Sequence, residues 1–139
     1  MSELPDNNRD EARRWMANVE DDLRGMHAIE RDEGSPARLV CFMAHLVVEK
    51  SLKATLIDAG VPFKKTHNLL VLHDLCMGPG RLAGVDRELL ATCNPWAIDG
   101  RYTDDLVEAG RDLAERLARF AEEVVAAVRS ELEAKDGDD

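Results

Sequence analysis

An all-α fold, an antiparallel four-helix bundle with a short extra helix, is the architecture this sequence predicts. Three observations carry the prediction. The chain has 139 residues, 45% of them apolar, and no repeat at solenoid spacing, which suits one domain with a single core. Aromatic residues make up only 4% and charged residues 33%, and β-branched runs are scarce, a mix that favours helices over a sheet. Apolar residues recur at spacings of three and four along segments joined by short connections, the pattern of helices packed as antiparallel neighbours.

The first helix is expected to start after Asn7 or Asn8, both good N-caps, and to run to about Arg31, with Ala12, Trp15, Met16, Val19, Leu23 and Met26 as its core stripe. Gly34 ends it. Ser35 as N-cap and Pro36 in the first turn open a second helix that continues to Gly60. "VPFKK" is a connection, and Thr66 is the expected N-cap of a third helix through Leu69, Leu70, Leu72 and Leu75. "GPG" at 78–80 breaks the chain, and "VDRELLAT" forms the short extra helix, capped by Asp86. "CNPWAIDGRYT", 93–103, reads as a loop, with Asn94-Pro95 and Asp99-Gly100 as turn signals. From Asp104 a long last helix carries Leu106, Gly110, Leu113, Leu117, Phe120, Val124 and Ala127. The expected organisation is a flexible N-terminus at 1–8, a helical bundle at 9–132 and an acidic disordered tail at 133–139.

The N-terminus is polar and acidic, unlike a signal peptide, and no apolar run approaches the ~18 residues of a membrane span, so a cytoplasmic protein without membrane contact is expected. Cys41, Cys76 and Cys93 are odd in number and lack CxxC spacing; buried thiols are expected, with no metal and no cofactor. A formal net charge of -10 argues against a surface built for long nucleic acid, DNA above all. The charge is uneven, however. Residues 36–67 hold Arg38, Lys50, Lys53, Lys64 and Lys65 against Glu49 and Asp58, leaving room for a local anion site.

The second helix poses the main question. Leu39, Val40, Phe42, Met43, Leu46, Val47, Leu56 and Ile57 cover most of its circumference, Cys41, Ala44, Val48 and Leu52 add to it, and Glu49, Lys50 and Lys53 lie among them. An unpaired ammonium there costs several kcal/mol, roughly, so both lysines need partners or a route to water. One account pairs Glu49 with Lys53 at i,i+4 and lets Lys50 snorkel. Another uses Asp22, at the border of the first helix's apolar stripe, as counter-ion for Lys50 or Lys53, so that the charges line one polar cleft.

"CFMAHLVVEKSLKATLIDAGVPFKKTHNLLVL" resembles the HEPN domain, the nucleotide-binding domain of higher eukaryotes and prokaryotes. Glu49, Lys50, Leu52, Lys53, Ala54, Thr66, His67 and Leu69 fall on that family's pattern. "WMANVEDDLRGM" resembles its first helix, with Asp22-Leu23 as the Asp-Leu pair, and "RYT" at 101–103 resembles its Arg-Tyr-Pro element. His45 and Leu46 depart from the usual Gln-Gln, and Thr103 from the Pro. The Arg-x(4-6)-His motif of the RNA-cleaving branches has no counterpart after Arg101. Arg38 and His45 have that spacing, but on the second helix, where His45 reads as a partly buried structural histidine.

The resemblance implies a HEPN-like bundle, commonly a homodimer, associated with nucleotide or RNA binding and often encoded beside a small nucleotidyltransferase. It places ligand binding at Asp22, Glu49, Lys50, Lys53, His67 and Arg101. His67 could instead only orient the loop beside Thr66, Arg101 could pair with Asp104 or Asp105, and Tyr102 could pack or act as a modifiable hydroxyl. The leading expectation is a module that binds a nucleotide or RNA end and partners a nucleotidyltransferase antitoxin in a toxin-antitoxin or stress-related system. The alternatives are a metal-independent RNase toxin, for which His67, Arg101 and Tyr102 are the catalytic candidates, and a structural dimer with buried ion pairs. A homodimer is expected because the second and last helices carry more apolar surface than one bundle covers.

Overall fold

In a computed structural model, which describes residues 6–97 and 110–137, the chain is all-helical. Helices α1 (Asp6–Arg31), α2 (Ala37–Ala59), α3 (Leu69–Met77) and α4 (Arg87–Cys93) follow in order, then a 3-10 turn at Asn94–Trp96 and helix α5 (Arg111–Gly137). The start of the last helix at Asp104, and with it Arg101, Tyr102 and Leu106, lies outside the described residues.

The contacts between elements fix their directions. Asn8 lies beside Gly60, Lys50 reaches Asn18 and Asp22, and Met43 touches Gly25, so α1 and α2 run antiparallel. Glu20 pairs with Arg129, His27 with Glu122 and Glu30 with Arg119, so α1 and α5 run antiparallel as well. Helix α2 is central and packs on α1, α3 and α5. The fourth column is the pair α3–α4, which begins at His67 beside Glu49, climbs to Arg81 beside Asp58 and returns to Cys93 beside His45.

Most of the predicted core is buried, with Gly110 exposed and Leu39, Phe42 and Leu46 only half-buried. Ala12, Met16, Val19 and Met26 of α1 and Leu117, Phe120 and Val124 of α5 are buried against Val40, Val47, Leu52 and Leu56 of α2. Trp96 is buried, and Trp15 packs at the core's edge. Helix α2 is enclosed on several sides, yet Leu39, Phe42 and Leu46, part of the apolar surplus expected on it, are only half-buried. Among the described residues the exposed large hydrophobics are instead Val71 and Met77, on α3.

Several helix ends differ from expectation. Helix α1 begins at Asp6, ahead of Asn7 and Asn8, and α5 continues to Gly137, so helical backbone extends past the expected tail boundary at 133. Pro36, not Ser35, holds the N-cap position of α2, without a side-chain cap, since a Ser35 N–H to Asp32 oxygen turn precedes it. Asn68, not Thr66, caps α3: its Oδ1 accepts from the Leu70 and Val71 N–H groups, while Thr66 Oγ1 accepts from Asn68 N. Asp86 caps α4 as predicted. Gly60 ends α2 at φ 71°, with the Gly60 N–H bonded to Ile57 O and Val61 N–H to Leu56 O, a left-handed cap that favours glycine.

Candidate functional site

The polar residues of α2 sort by helical spacing. His45, Glu49 and Lys53 stand four residues apart, so they share one face, and that face meets the segment leading into α3. Glu49 is the centre. Its carboxylate is 8% exposed and takes three donors: Lys53 Nζ at 2.8 Å, His45 Nε2 at 3.2 Å, and His67 Nδ1 at 3.0 Å from each oxygen. Burial pushes its carboxyl up, but the hydrogen bonds from His45, Lys53 and His67, with the Lys53 charge, outweigh this and hold it at about 2. Glu49 is therefore an ionised acceptor, and each nitrogen facing it must carry a proton.

Two histidines are fixed by that requirement. His45, 2% exposed, has Nδ1 at 3.2 Å from the Cys93 carbonyl and Nε2 against Glu49; both partners are acceptors, so both contacts are hydrogen bonds only when both nitrogens are protonated. His67 differs: its Nδ1 donates inward to Glu49, its side chain is half exposed, and Nε2 is left at the outer edge of the ring. Its backbone is set by local capping. Thr66 Oγ1 and Asn68 Oδ1 hold the turn, and Asn94 Oδ1 accepts from Leu69 N at 2.8 Å, tying the start of α3 to the 3-10 turn.

The structure divides the residues expected in a single cleft. Glu49, Lys53 and His67 come together as predicted. Lys50 and Asp22 form a separate pair at 2.7 Å, joined by Asn18 Oδ1 at 2.6 Å, in the groove between α1 and α2, and no hydrogen bond links that pair to Glu49. Asp22 is thus the counter-ion of Lys50, and Glu49 that of Lys53. Arg101 and Tyr102 lie outside the described residues.

His45 is the buried structural histidine expected and also contacts Glu49, a link signalled in the sequence by their i,i+4 spacing. Asn94, read as a turn residue, is a capping acceptor, and its link to Leu69 crosses 25 residues, which no local pattern reports. A second network also went unforeseen: Arg81 joins the buried Asp58 at 3.1 Å to Glu131 at 2.7 Å, and Glu131 accepts from the Leu82 N–H. It pins Leu82 at φ 57°, a conformation rare outside glycine.

Other chemistry is limited. Burial pushes the thiols of Cys41 and Cys76 up to about 11 and about 12, and that of Cys93 further, so none is a ready nucleophile. Among the described residues, no cluster of three or more His, Cys, Asp or Glu is placed to hold a metal ion, and no helix is long and apolar enough to cross a membrane.

A family model described as "HEPN domain" matches residues 12–131, a span that includes α2, the His67 turn and most of α5. The chain belongs to the HEPN family. No curated protein and no solved structure shows a significant match to it. Within this HEPN domain, the motif residues Glu49, Lys53 and His67 form one hydrogen-bonded unit, while Lys50 of the same motif faces α1.

Proposed function

We propose that this HEPN domain binds the phosphate-bearing end of a nucleotide or RNA over the His67 turn. The observation that carries the reading is the pair of exposed lysines, Lys64 and Lys65, on the segment that leads to His67 in a chain of net charge -10. Glu49, the carboxylate behind His67, is already paired with Lys53 and leaves no uncompensated negative charge there. The first-turn N–H groups of Leu69, Leu70 and Val71 are already taken by Asn94 and Asn68, so the attraction comes from side chains rather than the helix terminus. Lys50 and Asp22 neutralise each other and stand apart from this proposal, and Arg101, from the family pattern, remains within it as a phosphate fork.

The family pattern also supports the wider role: a homodimeric module paired with a small nucleotidyltransferase antitoxin in a toxin-antitoxin or stress-related system. The RNase alternative has less support. His45, the only histidine at Arg-x(4-6)-His spacing, is buried with both ring nitrogens engaged. The test is isothermal titration with nucleoside monophosphates and a short 5'-phosphorylated RNA, using the Lys64→Glu, Lys65→Glu double variant. Binding that weakens at least tenfold in the variant is expected; undiminished binding, or none by the parent, refutes the reading.

A further inference from the structure

The His67 ring is held in one tautomer by groups that do not touch solvent freely. Glu49 receives its Nδ1–H at 3.0 Å on both oxygens, and Glu49 in turn is clamped by Lys53 at 2.8 Å and by His45 at 3.2 Å. His45 is anchored to the Cys93 carbonyl, which carries the constraint from α2 to the end of α4. A half-exposed histidine whose inner nitrogen is the donor presents, in its neutral form, a lone pair at Nε2. Nothing in a simple anion site requires this, because a phosphate oxygen is itself an acceptor and would be met by Nε2 only as a donor. A lone pair fixed at the rim of a cationic turn suits a ligand that brings a hydroxyl beside its phosphate.

We infer that His67 is a specificity-determining residue that accepts a hydrogen bond at Nε2 from a ribose 2'-hydroxyl, so that the site distinguishes ribonucleotide from deoxyribonucleotide ends. Glu49, His45 and Lys53 are positioning residues that fix the tautomer. This inference rests on the binding proposed above, with Lys64 and Lys65 supplying the attraction for phosphate common to both sugars and His67 reading the one group that differs.

The experiment pairs adenosine 5'-monophosphate with its 2'-deoxy form, and a 5'-phosphorylated RNA with the DNA of the same sequence, against the parent, His67→Ala and Glu49→Gln. The parent is expected to favour the ribo form roughly tenfold, the worth of one hydrogen bond, and His67→Ala to bring the ratio of ribo to deoxy affinity to about one. Equal affinity of the parent for both sugars overturns the inference and leaves phosphate binding standing. Binding of neither overturns both. A second measurement needs no ligand: nitrogen-15 spectra of the ring should show the proton on Nδ1 in the parent and a mixture of tautomers in Glu49→Gln. A ring with its proton on Nε2 in the parent refutes the inference whatever the binding data show.

Discussion

Replacing Glu49 by Gln removes one charge while keeping shape, and its consequences can be worked out from the structure. The folded carboxyl sits at about 2 against an ordinary 4.5, because the donors His45, Lys53 and His67 overcome the cost of burial. At roughly 1.4 kcal/mol per tenfold change in acidity, the ionised form contributes about 3 kcal/mol to folding near neutral pH. Since the folded value is depressed, that contribution is complete above the unfolded value of 4.5 and is lost as pH falls toward about 2. Glu49→Gln leaves Lys53 and His45 around a neutral amide, so it should be less stable by about 3 kcal/mol at about pH 7. The gap should then narrow steadily from about pH 4.5 to about pH 3, because the parent loses a term the variant never had. Urea unfolding followed by circular dichroism across that range measures both. A variant as stable as the parent at neutral pH, or a deficit that does not change with acid, would refute the assignment of Glu49 as the charge centre.

Other substitutions separate the two lysines and probe the rest of the fold. Lys50→Met breaks only a partly exposed pair with Asp22 and should cost at most about 1 kcal/mol, whereas Lys53→Met removes a donor from buried Glu49 and should cost roughly 3; thermal melts that reverse this order would contradict the partition. Arg81→Met removes the link between Asp58, which also faces Arg9, and Glu131 and should cost about 3 kcal/mol, read by denaturant midpoint, with proteolysis at 81–86 as a local check. Gly60→Ala forces a side chain to φ 71° at the end of α2 and should cost about 1 kcal/mol, small enough for a calorimetric melt to resolve. The purified protein should cleave RNA weakly or not at all; robust cleavage lost in His67→Ala would promote the RNase alternative over simple binding.

The fold was legible because periodicity is a local property. The stripes on α1 and α5 lie in single stretches of sequence, and Asp86 announces α4 by its place before Arg87 and Glu88. The caps of α2 and α3 were harder to read. Ser35 and Thr66 have the right chemistry, but whether such a residue caps depends on the turn before it, and Asn68 outcompetes Thr66 by standing two residues nearer the first free N–H groups. The apolar excess of α2 is explained in part by enclosure, since α1, α3 and α5 pack against it, while Leu39, Phe42 and Leu46 stay only half-buried in the single chain.

The charged residues of α2 show where sequence reasoning reaches its limit. Glu49, Lys50 and Lys53 were read as a single group because they are adjacent in the chain and match one family pattern. On a helix, one residue is a step of about 100°, and that step sends Lys50 to Asp22 and Asn18 on α1 while Glu49 and Lys53 face His67. Residues four apart keep company instead, which is why His45, outside the matched motif, joins the hydrogen-bonded group around Glu49 and Lys50, inside it, does not. The division has a functional consequence. A lysine already neutralised by Asp22 offers little attraction to phosphate, so the proposed phosphate site draws its charge from the exposed Lys64 and Lys65. Binding that depends on Lys50 but not on Lys64 and Lys65 would put the ligand in the groove between α1 and α2, and would require the site to be redrawn there.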